Sequence, residues 1–299
     1  MKLVAGSSNP ELAQTIARKM GITQVEVDIS SFANGEKKIW IKNKVRGENV
    51  VLVQDFSHTT EQPITEFLLL ADALERLGAR HVNLVMPWMG YSLQDKIFRA
   101  GEPISAKVMA NLISSSYIKR IFLLDLHNSS TTGFFSIPTQ HLSAIELFVD
   151  YVKTNFTQLN PIVASPDFGG LKRSRVFADK LQLDLVNIDK HRDLTSGHVM
   201  AMDITAGTVI DKDVLVFDDC IVSGSTGVEA ARILKESGAK SVHFFATHGP
   251  LVPEALAKLE KSELDDIIVT NSIRHHHQSH KLKVIDVSGL FAESLNDWK

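Results

Sequence analysis

The chain has 299 residues, 44% of them hydrophobic and 22% charged, with a formal net charge of −3 and one cysteine, Cys220. That length exceeds what a single hydrophobic core supports, so two domains are expected, and the composition is that of a soluble globular protein. No stretch approaches the ~20 uninterrupted apolar residues of a bilayer span, no internal disulfide can form, and no basic ladder tracks a phosphodiester backbone; neither membrane nor nucleic acid is an expected partner. The opening MKLVAGSSNPELAQ carries an apolar run too short for a signal peptide, and the cytoplasm is the expected location.

Short β-branched and Leu-rich runs then recur along the chain. VVLVQ near 50, VNLVM near 82, IFLLDL at 121, PIVAS at 161, VLVF at 214, VHFFAT at 242 and DIIVT at 266 read as buried parallel strands. Between them, QPITEFLLLADALERLGA, PISAKVMANLIS, SGSTGVEAARILKESGA and PEALAKLEKS place apolar residues at helical spacing. The alternation predicts an α/β fold with right-handed crossovers and helices on both sheet faces. Because the pattern occurs once before about residue 140 and again after it, two similar domains are expected, over residues 1–140 and 141–285. Residues 286–299 read as a short helix that packs back on the first domain.

Residues 214–234, VLVFDDCIVSGSTGVEAARIL, carry the strongest chemical signal: an apolar strand, two acids, a small-residue loop and a helix. Ser223, Gly224, Ser225 and Thr226 can bring amides and hydroxyls to a phosphate, and the positive end of the following helix points at the same spot. Asp218 and Asp219 stand at the strand end, where carboxylates suit ribose hydroxyls or a magnesium-bound water and where open α/β sheets place their ligands. A solvated turn with a helix cap would use the same residue types. No Gly-x-x-x-x-Gly-Lys is present, so a Walker-type nucleotide site is not implied. Cys220 reads as a small buried side chain rather than a nucleophile, RHHHQSH at 274–280 as a solvated loop, and Trp40, Trp88 and Trp298 as core or subunit-contact residues.

The order of parts in this loop resembles the phosphoribosyl pyrophosphate (PRPP) loop of phosphoribosyltransferases and PRPP synthases, and further segments resemble the PRPP synthases specifically. SSFANGEKK is similar to the family's Phe-x-Asp-Gly-Glu loop, with Asn34 in place of Asp; the resemblance implies that Phe32, Asn34 and Glu36 contact ATP across a subunit interface. MPWMGYSLQDKIFRAGEPISAK keeps Gln94 and Asp95 of an ATP-side segment, has Leu93 where Arg is expected, and offers Lys96 and Arg99 nearby. LLDLHNSSTTGFFSIP places His127 at the metal of MgATP, and SPDFGG places Asp167 toward metal and sugar. NIDKHRD matches the Lys-x-Arg of the catalytic loop, making Lys190 and Arg192 the implied transition-state cations. ATHGP and IIVTNSI match the closing strands.

The resemblance thus implies two phosphoribosyltransferase-like domains, ATP and a ribose 5-phosphate-type sugar as substrates, Mg²⁺ as cofactor, and a homo-oligomer, dimer or higher. Magnesium keeps several waters and prefers oxygen ligands, so Asp167 with Asp218 or Asp219 suits it, and for His127 direct ligation and an outer-shell role through water are both open. Val222 stands where many synthases have Asp, Ser225 where Gly is usual, and Ser136 and Gln140 where acids are common. A larger acceptor such as ADP-ribose, a non-catalytic regulatory subunit, and a phosphoribosyltransferase or PRPP-sensing repressor are the rival readings.

Overall fold

The computed structural model describes the backbone of residues 1–57, 61–192, 199–275 and 279–298, with side chains throughout save at 189–192, 199–206 and 253. Two compact units divide the chain: Met1–Ser143 with Ser272–Arg274 and Asp286–Lys299, and Ala144–Asn271 with His275–Ile285.

The first unit runs β1 (Lys2–Ala5), α1 (Pro10–Met20), β2 (Thr23–Gln24), β3 (Val27–Ser31), β4 (Lys37–Ile41), β5 (Asn49–Val53), α2 (Glu61–Arg76), β6 (His81–Met86), α3 (Ser105–Ser114), β7 (Arg120–Leu124) and β8 (Thr139–Leu142). Six of these strands form one sheet in the order β2-β1-β5-β6-β7-β8, with every neighbouring pair parallel. Val50–Val53 and Ile121–Leu124 are buried on both faces, the signature of a parallel sheet covered on both sides by helices. Helix α1 starts where Asn9 Oδ1 accepts the Leu12 amide and Pro10 fixes the first turn, and it stops at Gly21, whose φ of 64° only glycine adopts without cost. Strands β3 and β4 stand apart as an antiparallel two-stranded ribbon.

The second unit runs α4 (Ile145–Asn155), β9 (Pro161–Ser165), α5 (Leu171–Leu181), β10 (Leu185–Arg192), β11 (Val199–Ala206), β12 (Asp213–Cys220), α6 (Ser225–Glu236), β13 (Ser241–His248), α7 (Pro253–Glu260), β14 (Asp266–Thr270) and β15 (Leu282–Ile285). Its seven strands are ordered β11-β10-β9-β12-β13-β14-β15 and are parallel except for the antiparallel β10–β11 pair. Phe148, Phe177, Phe217 and Phe245 cluster together, with Phe177 stacked on Phe217 at 4.4 Å between ring centroids. A separate cluster joins Val214, Val216, Phe244, Ala230, Leu234 and Leu259. At the N-terminal strand ends, His243 lies 2.9 Å from both Ser241 Oγ and Asp266 Oδ2, and Ser241 donates to Asp213, fastening β12, β13 and β14 away from the loops that follow them.

The closing helix α8 (Ser288–Asn296) packs on α1 within the first unit, where Lys19 pairs with Asp286 at 3.1 Å and Arg274 with Glu11 at 2.5 Å. The α/β class and the parallel sheets flanked by helices are as the alternation predicts. Trp88 is buried, whereas Trp40 and Trp298 are exposed. Residues 276–278 of the RHHHQSH run lie outside the described residues.

Candidate functional site

In the second unit β10 and β12 run on past the end of β9 between them. Asn187 of β10 lies opposite Ser165 of β9, and Val216 of β12 opposite Ala164, so the residues after these positions all emerge at the C-terminal end of the sheet, where open α/β folds gather ligands. Asp167 follows β9, and its Oδ1 accepts the Gly170 amide at 2.9 Å, tying the SPDFGG turn to the start of α5. A Cβ placed on Gly170 would lie 3.6 Å from Asp218 Oδ1 and 3.7 Å from Asp167 Oδ1, so two carboxylates converge on one backbone position.

Arg173, on the first turn of α5, inserts Nη1 between Asp218, at 2.7 Å, and Asp219, in closer contact still. Sequence reading passed over Arg173, since its partners lie more than 40 residues further along. Burial first, and then the Asp219 charge, push the Asp218 carboxyl up to about 7 against the pull of Arg173. Burial and the same two acids also raise the Cys220 thiol well above its ordinary value, so it stays protonated at neutral pH and is no nucleophile.

The Asp218 shift makes a stability prediction. Unfolded, the carboxyl titrates near 3.8; folded, near about 7. Between those values the native state retains a proton that the unfolded chain has released, so this group's contribution to stability falls as pH rises through the window. Asp218→Asn removes the slope. In urea unfolding at about pH 5 and about pH 8, the parent should lose on the order of 2 kcal/mol more than the variant over that interval; equal losses would show that the carboxyl titrates normally.

The loop after β12 is held by backbone on one side. Ile221 O accepts the Leu251 amide at 3.2 Å and Val222 O the Val252 amide at 3.1 Å, so the segment leading into α7 is paired to the loop. Gly224 turns the chain at φ 73°, and a Cβ there would meet Leu259 at 2.8 Å; a side chain is excluded both by conformation and by space. Ser223 Oγ stands 3.2 Å from Ser225 Oγ and accepts the Ser225 amide at 3.4 Å. The twelve-residue helix α6 starts at Ser225 and points its N-terminus at this cluster. Two strand-end acids ahead of a neutral hydroxyl loop suit a molecule with vicinal hydroxyls at one end and an anion at the other. Lys190 and Arg192 lie on β10 opposite Met202 and Val199, beyond the β9 pairing and so at the same sheet end; their side chains are outside the described residues.

In the first unit, Phe32–Glu36 form the turn between β3 and β4: the Phe32 amide donates to Glu36 O at 2.8 Å, the Gly35 amide to Phe32 O at 2.9 Å, and the Glu36 amide to Asn34 Oδ1 at 3.2 Å. Phe32 is 52% exposed, with the Lys38 ammonium over its ring. Gln94 accepts from Ser105 at the start of α3, Asp95 Oδ2 accepts from Asn128 at 2.7 Å, Lys96 lies over the Phe98 ring, and the Arg99 amide bonds Glu102. The Asp95–Asn128 bond brings the 94–99 segment beside exposed His127. Sequence reading missed His141 on β8. Its Nε2 lies 3.0 Å from the Leu126 amide, a bond that requires the neutral ring, and burial lowers its basicity in keeping with that role; it sets the backbone just ahead of His127. His127 belongs to the first unit and Asp167 to the second. Among the described residues no group of three His, Cys, Asp or Glu side chains is placed to hold a metal ion. The converging Asp167 and Asp218 fit magnesium, which takes one or two carboxylates and keeps its waters.

Among the described residues no helix is long and apolar enough to cross a membrane. A site built from strand-end carboxylates and a helix-capped hydroxyl loop is of the kind that α/β proteins use for sugar phosphates. Residues 1–116 match the model for the N-terminal domain of ribose phosphate pyrophosphokinase, and residues 196–297 that for the phosphoribosyl synthetase-associated domain. The chain is 40% identical to the ribose-phosphate pyrophosphokinase of Wolinella succinogenes, covering 98% of this chain and 94% of that one. It is 38% identical to that of Bacillus caldolyticus, over 99% and 93%. The crystal structure of phosphoribosylpyrophosphate synthetase from Mycobacterium smegmatis superposes with a TM-score of 0.93 at 31% identity, covering 99% of this chain and 98% of that one. The chain belongs to the ribose-phosphate pyrophosphokinase family.

Proposed function

We propose that this protein transfers the β,γ-diphosphate of ATP to the anomeric hydroxyl of ribose 5-phosphate, giving PRPP and AMP. The observation that carries the reading is the near end-to-end likeness to ribose-phosphate pyrophosphokinases, in a chain whose second unit joins Asp167, Asp218 and Asp219 to the Ser223–Thr226 loop at one sheet end.

The loop and the N-terminus of α6 hold the 5-phosphate, while Asp218 and Asp219 accept from the ribose hydroxyls. Phe32, Asn34, Glu36, Gln94, Asp95, Lys96 and Arg99 serve ATP. Asp167 with Asp218 or Asp219 would hold magnesium, which would supply charge neutralisation on the triphosphate, and His127 would serve the metal of MgATP directly or through water. As the anomeric oxygen attacks the β-phosphorus, negative charge grows on the bridging and non-bridging oxygens, and Lys190 and Arg192 offset it. Exposed Phe32 and Trp40 on the β3–β4 ribbon support a subunit contact, and so a homo-oligomer of two or more copies.

The test is AMP release by purified protein with MgATP and either ribose 5-phosphate or ADP-ribose. Release with ribose 5-phosphate is expected; release with ADP-ribose alone would replace the acceptor, and release with neither would refute the reading.

A further inference from the structure

The loop between Asp219 and Glu229 contains no charged residue, so any charge that helps it hold an anion must come from another element. One element is placed to supply it. Helix α7 is fixed against the loop twice, through the backbone bonds of Leu251 and Val252 to Ile221 and Val222, and through buried Leu259, which fills the space where Gly224 and Gly227 have no side chain. The residue before Leu259 is Lys258, and its ammonium donates to Ser225 Oγ at 2.8 Å. Ser225 in turn is 3.2 Å from Ser223 Oγ, so one cation closes a row of two hydroxyls at the N-terminus of α6.

We propose that Lys258 is a direct ligand of the sugar's 5-phosphate, carried to the loop by α7 and held ready by Ser225. The proposal rests on the reading of Ser223–Thr226 as the phosphate loop and adds to it a charged group that favours a dianion. An ammonium that bonds a neutral hydroxyl gives up little when it turns to a phosphate oxygen, because the stronger, charge-assisted bond replaces the weaker one. Lys258 is exposed and packs no core, so its replacement leaves the fold intact.

The experiment is calorimetric titration of ribose 5-phosphate into the full chain in the presence of magnesium and a non-transferable ATP analogue, paired with steady-state kinetics. Lys258→Met should weaken ribose 5-phosphate binding and raise its KM by about 10- to 100-fold, the worth of one hydrogen bond to a charged partner. The KM for ATP and kcat should each stay within about twofold, the thermal midpoint should not move, and Lys258→Arg should recover most of the affinity. Unchanged affinity in Lys258→Met overturns the proposal, as does an equal loss in both variants, or a fall in kcat without a change in affinity. If the parent binds ribose 5-phosphate and Lys258→Met binds it equally well, only the role of Lys258 falls; if the parent does not bind it, the phosphate-loop reading falls too.

Discussion

Lys190→Ala is expected to lower kcat by about 10³-fold while the KM values for both substrates move by less than about tenfold. The asymmetry follows from when the charge is needed. In the ground state the triphosphate is already neutralised in part by its cation, whereas the attack on the β-phosphorus adds charge to oxygens that only a correctly placed positive group can meet. Lys190 lies in the ladder where β10 runs past the end of β9, paired by its backbone with Met202, so alanine can keep that backbone pairing while the ammonium is lost. Arg192→Ala should act similarly, and the double variant should be far less impaired than the product of the two, because in the proposed reaction both cations serve one transition state. Measuring AMP release under saturating substrate decides it. A loss under about tenfold for both single variants would mean that the decisive cations lie elsewhere in the chain.

The strand-loop-helix of residues 214–234 was legible because three signals coincide there: an unbroken apolar strand, paired acids and small residues ahead of a helical period. Strands β5, β6, β7, β9, β13 and β14 were legible for a related reason, since burial on both faces leaves continuous apolar runs. The β3–β4 ribbon was not. VDISS and KKIWI mix Lys and an exposed Trp with apolar residues, and such a half-solvated ribbon resembles loop as much as strand. Helix α5, LKRSRVFADKL, hides in the same way behind its charges, and with it Arg173. The groups sequence reading missed, Arg173, His141 and Lys258, share one property: each acts through a contact made by tertiary packing rather than by any local period. A lysine on a solvated helix face is indistinguishable from its neighbours until the fold puts it beside a loop 33 positions earlier.

Glu66 is the extreme case of such a contact, and Glu66→Ala is expected to cost the protein about 3 kcal/mol of stability or more. In sequence it is one of four acids in α2, with nothing local to set it apart from Glu61, Asp72 and Glu75; folded, it is fully buried at the C-terminal ends of β1 and β5. Its Oε1 accepts from the Ser7 amide at 2.6 Å and Gln54 Nε2 at 3.3 Å, and its Oε2 from Ser7 Oγ at 2.7 Å and Lys37 Nζ at 3.1 Å. Gln54 Oε1 fills the space beside Gly6, where a Cβ would lie 1.9 Å away, so the chain after β1 can approach only as glycine. Removing the carboxylate strands three donors and leaves Lys37 without its counter-charge, whereas Lys37→Met leaves Glu66 with its three remaining donors. The cost of Lys37→Met should therefore be clearly smaller, by about 1 kcal/mol or more. Glu66→Gln should fall between the two, since it keeps the shape but cannot accept from every partner. Lys37 directly follows Glu36 on β4, so the same ion pair anchors the base of the Phe32–Glu36 turn to α2. Glu66→Ala should raise the KM for ATP while leaving the affinity for ribose 5-phosphate unchanged. Denaturant midpoints of the three variants, with substrate affinities measured on the folded fraction, provide the check. If Glu66→Ala proved no costlier than Lys37→Met, water would be satisfying the stranded donors and the carboxylate would not be the centre of the network.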